Sequence, residues 1–182
     1  MQPGIDVSAA NICKAQQKAK GSGYAERLAL VAGDYVCQPL ERYDGIVSAS
    51  TLHLIDCPTA QLLDKIARDL EPGGLLIFTM PEASLFNRVL WLVRRLFRMV
   101  RGSATDRLAL AVARALHNNL SEPLLRERVS YMYLLPYRYF ASGFKRDLRS
   151  RGLEPLTEAA VPHVSIGQPR HRLGVYQKRT EP

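Results

Sequence analysis

Over roughly its first eighty residues the chain alternates short apolar runs with amphipathic ones, joined by Gly, Pro, Ser and Asp, and this alternation narrows the fold most. Gly4 to Val7 reads as a short strand. Ser8 then serves as N-cap of a helix over Ala9 to Lys20, with Ile12 and Ala19 inward and Lys14, Lys18 and Lys20 toward water. Gly21-Ser22-Gly23 stops that helix. "RLALVAGD" reads as a strand covered on both faces, since Leu28, Leu30 and Ala32 alternate with other small or apolar residues. Another strand spans Tyr43 to Ala49. Pro58 and Thr59 open a helix with Leu62, Leu63, Ile66, Ala67 and Leu70 at helical spacing. Pro72-Gly73-Gly74 is expected to end it, and "GLLIFTMP" follows as a wholly apolar strand. The pattern predicts an α/β fold with a mostly parallel sheet covered by helices.

From Ala83 to about Tyr137 the periodicity turns helical, and "SLFNRVLWLVRRLFRMVRG", "DRLALAVARALHNNL" and "EPLLRERVSYMYLLP" predict three helices. An insertion of that length between strands suggests a cover or a substrate-binding element. "FASGFKRDLRSRG" resumes an amphipathic helix. "LEPLTEAAV" and "HRLGVYQK" read as two strands of an antiparallel hairpin joined through Pro162 to Pro169. With 182 residues, a single domain over 1–182 is expected, divided into a first half at 4–81, a helical insertion or lid at 82–137 and a closing helix and hairpin at 138–182.

Charge is unevenly placed. Residues 88–151 hold 14 Arg or Lys against 4 Asp or Glu, whereas the rest of the chain has 11 against 13. Such a basic section attracts any polyanion, but no nucleic-acid recognition motif accompanies it, so a solvated arginine-rich surface is the simpler expectation. Arg94, Arg98 and Arg101 share one face of the helix over 85–101, whose Leu, Val, Phe and Trp91 suit peripheral membrane contact or an exposed face on a lid. Arginine interrupts each long apolar run, which argues against a membrane span. Cys13, Cys37 and Cys57 lack paired metal-ligand spacing and read as reduced thiols; no metal site is expected. Met1 is followed by no basic and apolar leader, which predicts a cytoplasmic location.

Four pieces stand in a fixed order. Asp6 ends one strand, "GDY" with Asp34 ends the next, "YDGIVSASTLHLI" holds Asp44 and the third, and "LEPGGLLIFTMP" makes the fourth. Asp6 precedes Asp34 by 28 positions, Asp34 precedes Asp44 by 10, and Asp44 precedes Pro72 by 28. Order and spacing resemble the class I S-adenosylmethionine-dependent methyltransferases, in particular the small-molecule branch, over about residues 4–81. The resemblance implies a Rossmann-like fold and S-adenosyl-L-methionine as cofactor. It assigns Asp6, with Val7 beside it, to the ribose hydroxyls, and Asp34 to the adenine amino group with Tyr35 beside the ring. Ser48, Ala49 and Ser50 fall near the methionine portion. Each carboxylate also has a purely structural reading, Asp6 at the start of a helix and Asp34 in a turn.

That family's first strand and G-x-G-x-G loop have no counterpart here, and "GSGYAE" follows a helix rather than a strand. The family's strand order is 3-2-1-4-5-7-6, so a chain truncated in this way should have a sheet opened at its centre. Strands 2 and 4 then either pair directly or leave edges for another partner. His53 is the candidate general base, since imidazole takes a proton from a hydroxyl near neutral pH; a satisfied structural histidine is the plainer reading. Tyr131, Met132, Tyr133, Tyr137, Tyr139 and Phe140 either wall an apolar acceptor or pack a core. The expected activity is methyl transfer to a small, hydrophobic metabolite, against the alternative of a non-catalytic binding module. A nicotinamide oxidoreductase is disfavoured because "GD" and "EPGG" have no place in it.

Overall fold

The computed structural model describes residues 2–23, 25–39, 42–100, 102–116, 133, 135–162 and 169–180. It divides into two compact units, Met1–Arg42 and Tyr43–Pro182.

In the first unit β1 (Gln2–Asp6) and β2 (Leu28–Ala32) pair in parallel, with Asp6 opposite Ala32, and α1 (Ala9–Lys20) connects them. The helix starts where the sequence says it should. Ser8 is extended and its side chain accepts from the Asn11 amide at 3.3 Å, while Gly21 caps the other end through hydrogen bonds to Ala19 and Lys18 carbonyls. Ile12 is buried, and Leu28 and Leu30 lie with Ala19 in a shallow depression beside the helix. The expectation that β2 is covered on both faces fails. Val31 and Ala32 are both exposed and Leu28 to Leu30 only half-buried, on a two-stranded sheet that carries one α-helix among the described residues of this unit.

The second unit is built on a four-stranded sheet in the order β3-β4-β6-β5, from β3 (Tyr43–Ala49), β4 (Leu70–Pro81), β5 (Leu153–Ala160) and β6 (His171–Lys178). β3 and β4 run parallel; β6 is antiparallel to both of its neighbours, so β5 and β6 form the expected hairpin. In the resembling order the strands of the two units correspond to 3-2 and 4-5-7-6. No strand among the described residues stands at position 1. β3 is thus an edge strand of its sheet, with Val47 75% exposed.

Between β3 and β4 lies α2 (Thr59–Asp69), whose Leu62, Leu63 and Ile66 are fully buried. It ends earlier than Pro72-Gly73-Gly74 implies, since Leu70 is already extended and pairs with Tyr43. The four residues that follow bulge out of the ladder before Gly45 meets Leu75. A Cβ on Gly74 would come within 2.8 Å of the Glu71 carbonyl and 3.2 Å of those of Asp44 and Tyr43, so only glycine fits that bulge without displacing backbone. Lys178 of β6 closes the helix by donating to the Ala67 and Leu70 carbonyls, both at 2.7 Å, at the negative end of the helix dipole. Along β4, Leu76, Phe78 and Met80 point into the core, where Phe78, Phe140, Phe144 and Tyr176 pack edge to face or tilted with centroids 5.5 to 6.5 Å apart.

The helical insertion contributes α3 (Leu85–Met99) and α4 (Ser103–Leu116); the third expected helix lies almost wholly outside the described residues, as do Tyr131, Met132 and residues 163–168 of the hairpin loop. α5 (Ser142–Arg149) returns the chain to the sheet, burying Phe144 and Leu148. None of the described helices is long and apolar enough to cross a membrane.

Candidate active site

Asp6 and Asp34 stand at the same end of the first unit. β1 and β2 are adjacent and parallel, the Gly33 amide donates to the Asp6 carbonyl at 3.0 Å, and Asp34 comes one residue later. Both carboxylates already hold backbone. Asp6 accepts from the Ser8 amide at 2.7 Å and from Asn11 Nδ2 at 3.1 Å, and Asp34 accepts from the Val36 amide at 2.9 Å. These bonds orient each group and occupy part of its capacity, because a carboxylate offers about four lone-pair sites. Asp34 is exposed, Tyr35 half-buried, and Val7 78% exposed beside Asp6.

In the second unit the end of β3 carries Ser48, Ala49 and Ser50. Ser48 is buried and shares a hydrogen bond with Thr51 at 2.6 Å, while Ala49 is exposed. Ser50 adopts φ of 58°, an unusual conformation for a residue with a Cβ, and its amide and hydroxyl both bond Thr79 at 3.1 and 3.0 Å. The strained turn sends the chain into the short segment Leu52–Leu54, which holds His53.

That segment is fastened by Arg138, a residue that sequence reasoning missed. The buried guanidinium donates to the carbonyls of Leu52, Ile55 and Cys57, and the Tyr137 amide donates to the His53 carbonyl at 2.8 Å. His53 is 7% exposed, and its ring meets that of His171 edge-on at 5.8 Å. Burial, then the charges of His171, Arg94 and Arg138, push its pKa down to about 4. It is therefore neutral at physiological pH and a weaker proton acceptor than an ordinary imidazole. His171 is also pushed down, chiefly by burial, and its Nδ1 lies 2.9 Å from the Pro169 carbonyl.

His53 lines a cavity of about 310 Å³, together with Ser50 and Leu54 of the same turn and Leu90, Trp91 and Arg94 of α3. Arg94 departs from expectation. Its spacing with Arg98 suggested a solvated arginine face, yet Arg94 turns inward and its Nε is buried without a partner among the described residues. Burial lowers its pKa, but an arginine starts so high that it stays charged. α3 can do this because it has two apolar faces: Leu90 and Trp91 line the cavity, while Leu85, Val89, Leu92, Leu96 and Met99 are exposed. Asn87, also missed, anchors the helix. Its Nδ2 donates to the Glu82 and Arg170 carbonyls at 2.8 and 2.7 Å, and its Oδ1 accepts from the Arg170 amide at 2.9 Å. Of the expected aromatic cluster, the described members separate: Tyr139 lines the cavity, Phe140 joins the core, Tyr133 is buried and donates to Asp106, and Tyr137 is exposed. Among the described residues no group of His, Cys, Asp and Glu is arranged to hold a metal ion.

Strand order, parallel carboxylate-tipped strands and the antiparallel closing hairpin together decide the architecture. The fold is that of the class I methyltransferases. A family model described as "Methyltransferase domain" matches residues 3–74, which include Asp6, Asp34 and the 48–50 turn. Among solved structures, the N-methyltransferase NodS from Bradyrhizobium japonicum WM9, in complex with S-adenosyl-l-homocysteine, superposes with a TM-score of 0.57 at 16% identity, covering 97% of this chain and 65% of that one. A methyltransferase of Methanosarcina mazei, described as S-adenosylmethionine-dependent, gives 0.59 at 12% identity, covering 98% and 82%. The [4+2]-cyclase SpnF gives 0.62 at 15% identity, covering 100% and 67%. A cyclase on the same methyltransferase fold shows that the scaffold alone does not set the reaction. No curated protein sequence matches the chain.

Proposed function

We propose that the chain is an S-adenosylmethionine-dependent methyltransferase acting on a small-molecule acceptor, with Asp6 and Asp34 of the first unit holding the adenosine end of the donor and the cavity beside His53 taking the acceptor. The observation that carries this reading is the placement of two carboxylates at the same end of adjacent parallel strands, within the segment matched as a methyltransferase domain. Asp6 keeps lone pairs for ribose hydroxyls beyond those given to Ser8 and Asn11, and a hydrogen bond to a charged acceptor is worth about 1.5–3 kcal/mol.

Methyl transfer asks little of a base. Bound there, the donor would supply an activated methyl group: the acceptor's nucleophilic atom would bond the methyl carbon as the carbon–sulfur bond breaks with its electron pair left on sulfur, and the positive charge would pass to the acceptor, which would shed its proton to solvent. A sulfonium donor is already activated, and in-line positioning supplies most of the acceleration. A neutral, buried His53 suits such a reaction, because it hydrogen-bonds and orients the acceptor instead of drawing off its proton.

Calorimetry with S-adenosylmethionine and S-adenosylhomocysteine tests the reading. Saturable binding is expected, weakened at least about tenfold in Asp6→Asn because a carboxylate acceptor becomes a weaker amide. No binding of either compound would leave a non-catalytic binding module instead.

A second reading concerns the outer face of α3, where Leu85, Val89, Leu92, Leu96 and Met99 are exposed with Arg88 and Arg95 alongside. This pattern supports peripheral contact with an anionic lipid surface. Co-flotation with phosphatidylserine vesicles, lost in Leu92→Glu/Leu96→Glu and absent with neutral vesicles, is the expected result.

A further inference from the structure

The cavity's polar inventory separates committed groups from open ones. Asn87 uses both ends of its amide on backbone, and Ser50 bonds Thr79. His171 holds the Pro169 carbonyl through Nδ1, and Tyr139 adds a hydroxyl to the wall, whereas His53 Nδ1 and Arg94 Nε are buried and without a partner among the described residues. A buried unpaired donor on a guanidinium is costly, and an anion that accepts from it removes that cost. None of the described residues lining the cavity is an aspartate or glutamate, so the charge of Arg94 meets no carboxylate there. The rest of the wall is largely apolar, with Leu54, Leu90, Trp91 and three prolines. At about 310 Å³ it lies near the lower bound for small-ligand sites, which is room for one ring with a short side arm.

We infer that the acceptor is a small aryl carboxylate, its carboxylate received by Arg94 through Nε in a side-on pair and its ring held against Leu90 and Trp91. Guanidinium and carboxylate match in this planar, two-point geometry, which a lysine cannot reproduce. His53 then addresses the nucleophilic atom at the other end of the ring. This inference names the substrate class of the acceptor site proposed above, and rests on that proposal for calling the ligand an acceptor. The binding itself needs no methyl donor, so the two are tested apart.

Trp91 is the only tryptophan of the chain and lines the cavity, so its fluorescence reports occupancy. Phenylacetate is the charged probe and phenylacetamide its neutral isostere, each titrated without donor to about 10 mM, which reaches affinities near −3 kcal/mol. Saturable change with phenylacetate is expected, with at least about tenfold weaker response to the amide. Arg94→Met should abolish the preference for the acid, Arg94→Lys should restore it in part, and both should melt no lower than the parent. An equal response to acid and amide, an unchanged preference in Arg94→Met, or no response to phenylacetate overturns the inference. If phenylacetate binds while S-adenosylhomocysteine does not, the methyltransferase reading fails and the carboxylate pocket stands.

Discussion

Burying an imidazole costs most when it is charged, and His53 therefore links stability to pH. Its pKa of about 4 lies below the ordinary 6.5, so between those values the unfolded chain binds a proton that the folded chain refuses. The stability due to a neutral His53 is complete above pH 6.5 and is lost as pH falls toward about 4, by as much as about 3 kcal/mol. His171 adds in the same direction. Urea unfolding at stepped pH should show this slope, and His53→Gln should flatten most of it while leaving the part due to His171. Arg138→Met is the complementary test. It strips three carbonyls of their donor and should cost about 3 kcal/mol, with cavity binding weakened as the His53 turn loosens. At this scale the sequence was legible only in part. The position of Asp6 and Asp34 at the ends of adjacent strands could be read, because apolar run length marks strand tips. Arg138 and Asn87 could not, because the partners of Arg138 and the Arg170 partner of Asn87 lie some eighty residues away and no local pattern announces them. Arg94 misled for a different reason: spacing identifies residues on one helical face, but not which face turns inward when a helix is apolar on two sides.

Elements were the most readable level. Ser8 and Gly21 bound α1 as their capping chemistry predicts, and β3, the apolar part of β4 and the closing hairpin stand where alternation and run length place them. The end of α2 was misjudged because Pro-Gly-Gly reads as a helix stop, whereas here it forms the bulge of a strand that has already begun. That bulge sets the register between β3 and β4, and Gly74→Ala should cost at least about 2 kcal/mol in thermal unfolding, because the atoms in the way are backbone carbonyls. On β6, a Cβ at Gly174 would stand 2.7 Å from the Phe78 ring. That ring is wedged among Phe140, Phe144 and Tyr176, so Gly174→Ala should destabilise by a similar amount, and a smaller partner in Phe78→Leu should relieve part of the clash in the double variant.

At the scale of the molecule the two units differ in how much core they own. Ile12 is the only buried apolar residue among those described in the first, whereas the second buries β4 between two strands and under α2 and α5. Amide exchange should follow that inequality: β1 and β2 exchange by low-energy openings and β4 only by global unfolding. S-adenosylhomocysteine, if held by Asp6 and Asp34, should slow exchange across residues 2–39 far more than in β5. A uniform or absent effect would count against the adenosine assignment. The helical insertion, for its part, is tied off at its root. Glu82 and Phe140 form a parallel bridge, the Phe140 amide donates to the Pro81 carbonyl at 2.8 Å, and the Ala83 amide donates to the Phe140 carbonyl at 3.3 Å. The chain thus departs from the sheet and rejoins it at one point, as a grafted branch meets a trunk. Two further ties reach back from the branch, Asn87 to the Arg170 backbone and Arg138 to the His53 turn, so a differently shaped scion that keeps both can replace the rest without disturbing the strands beneath.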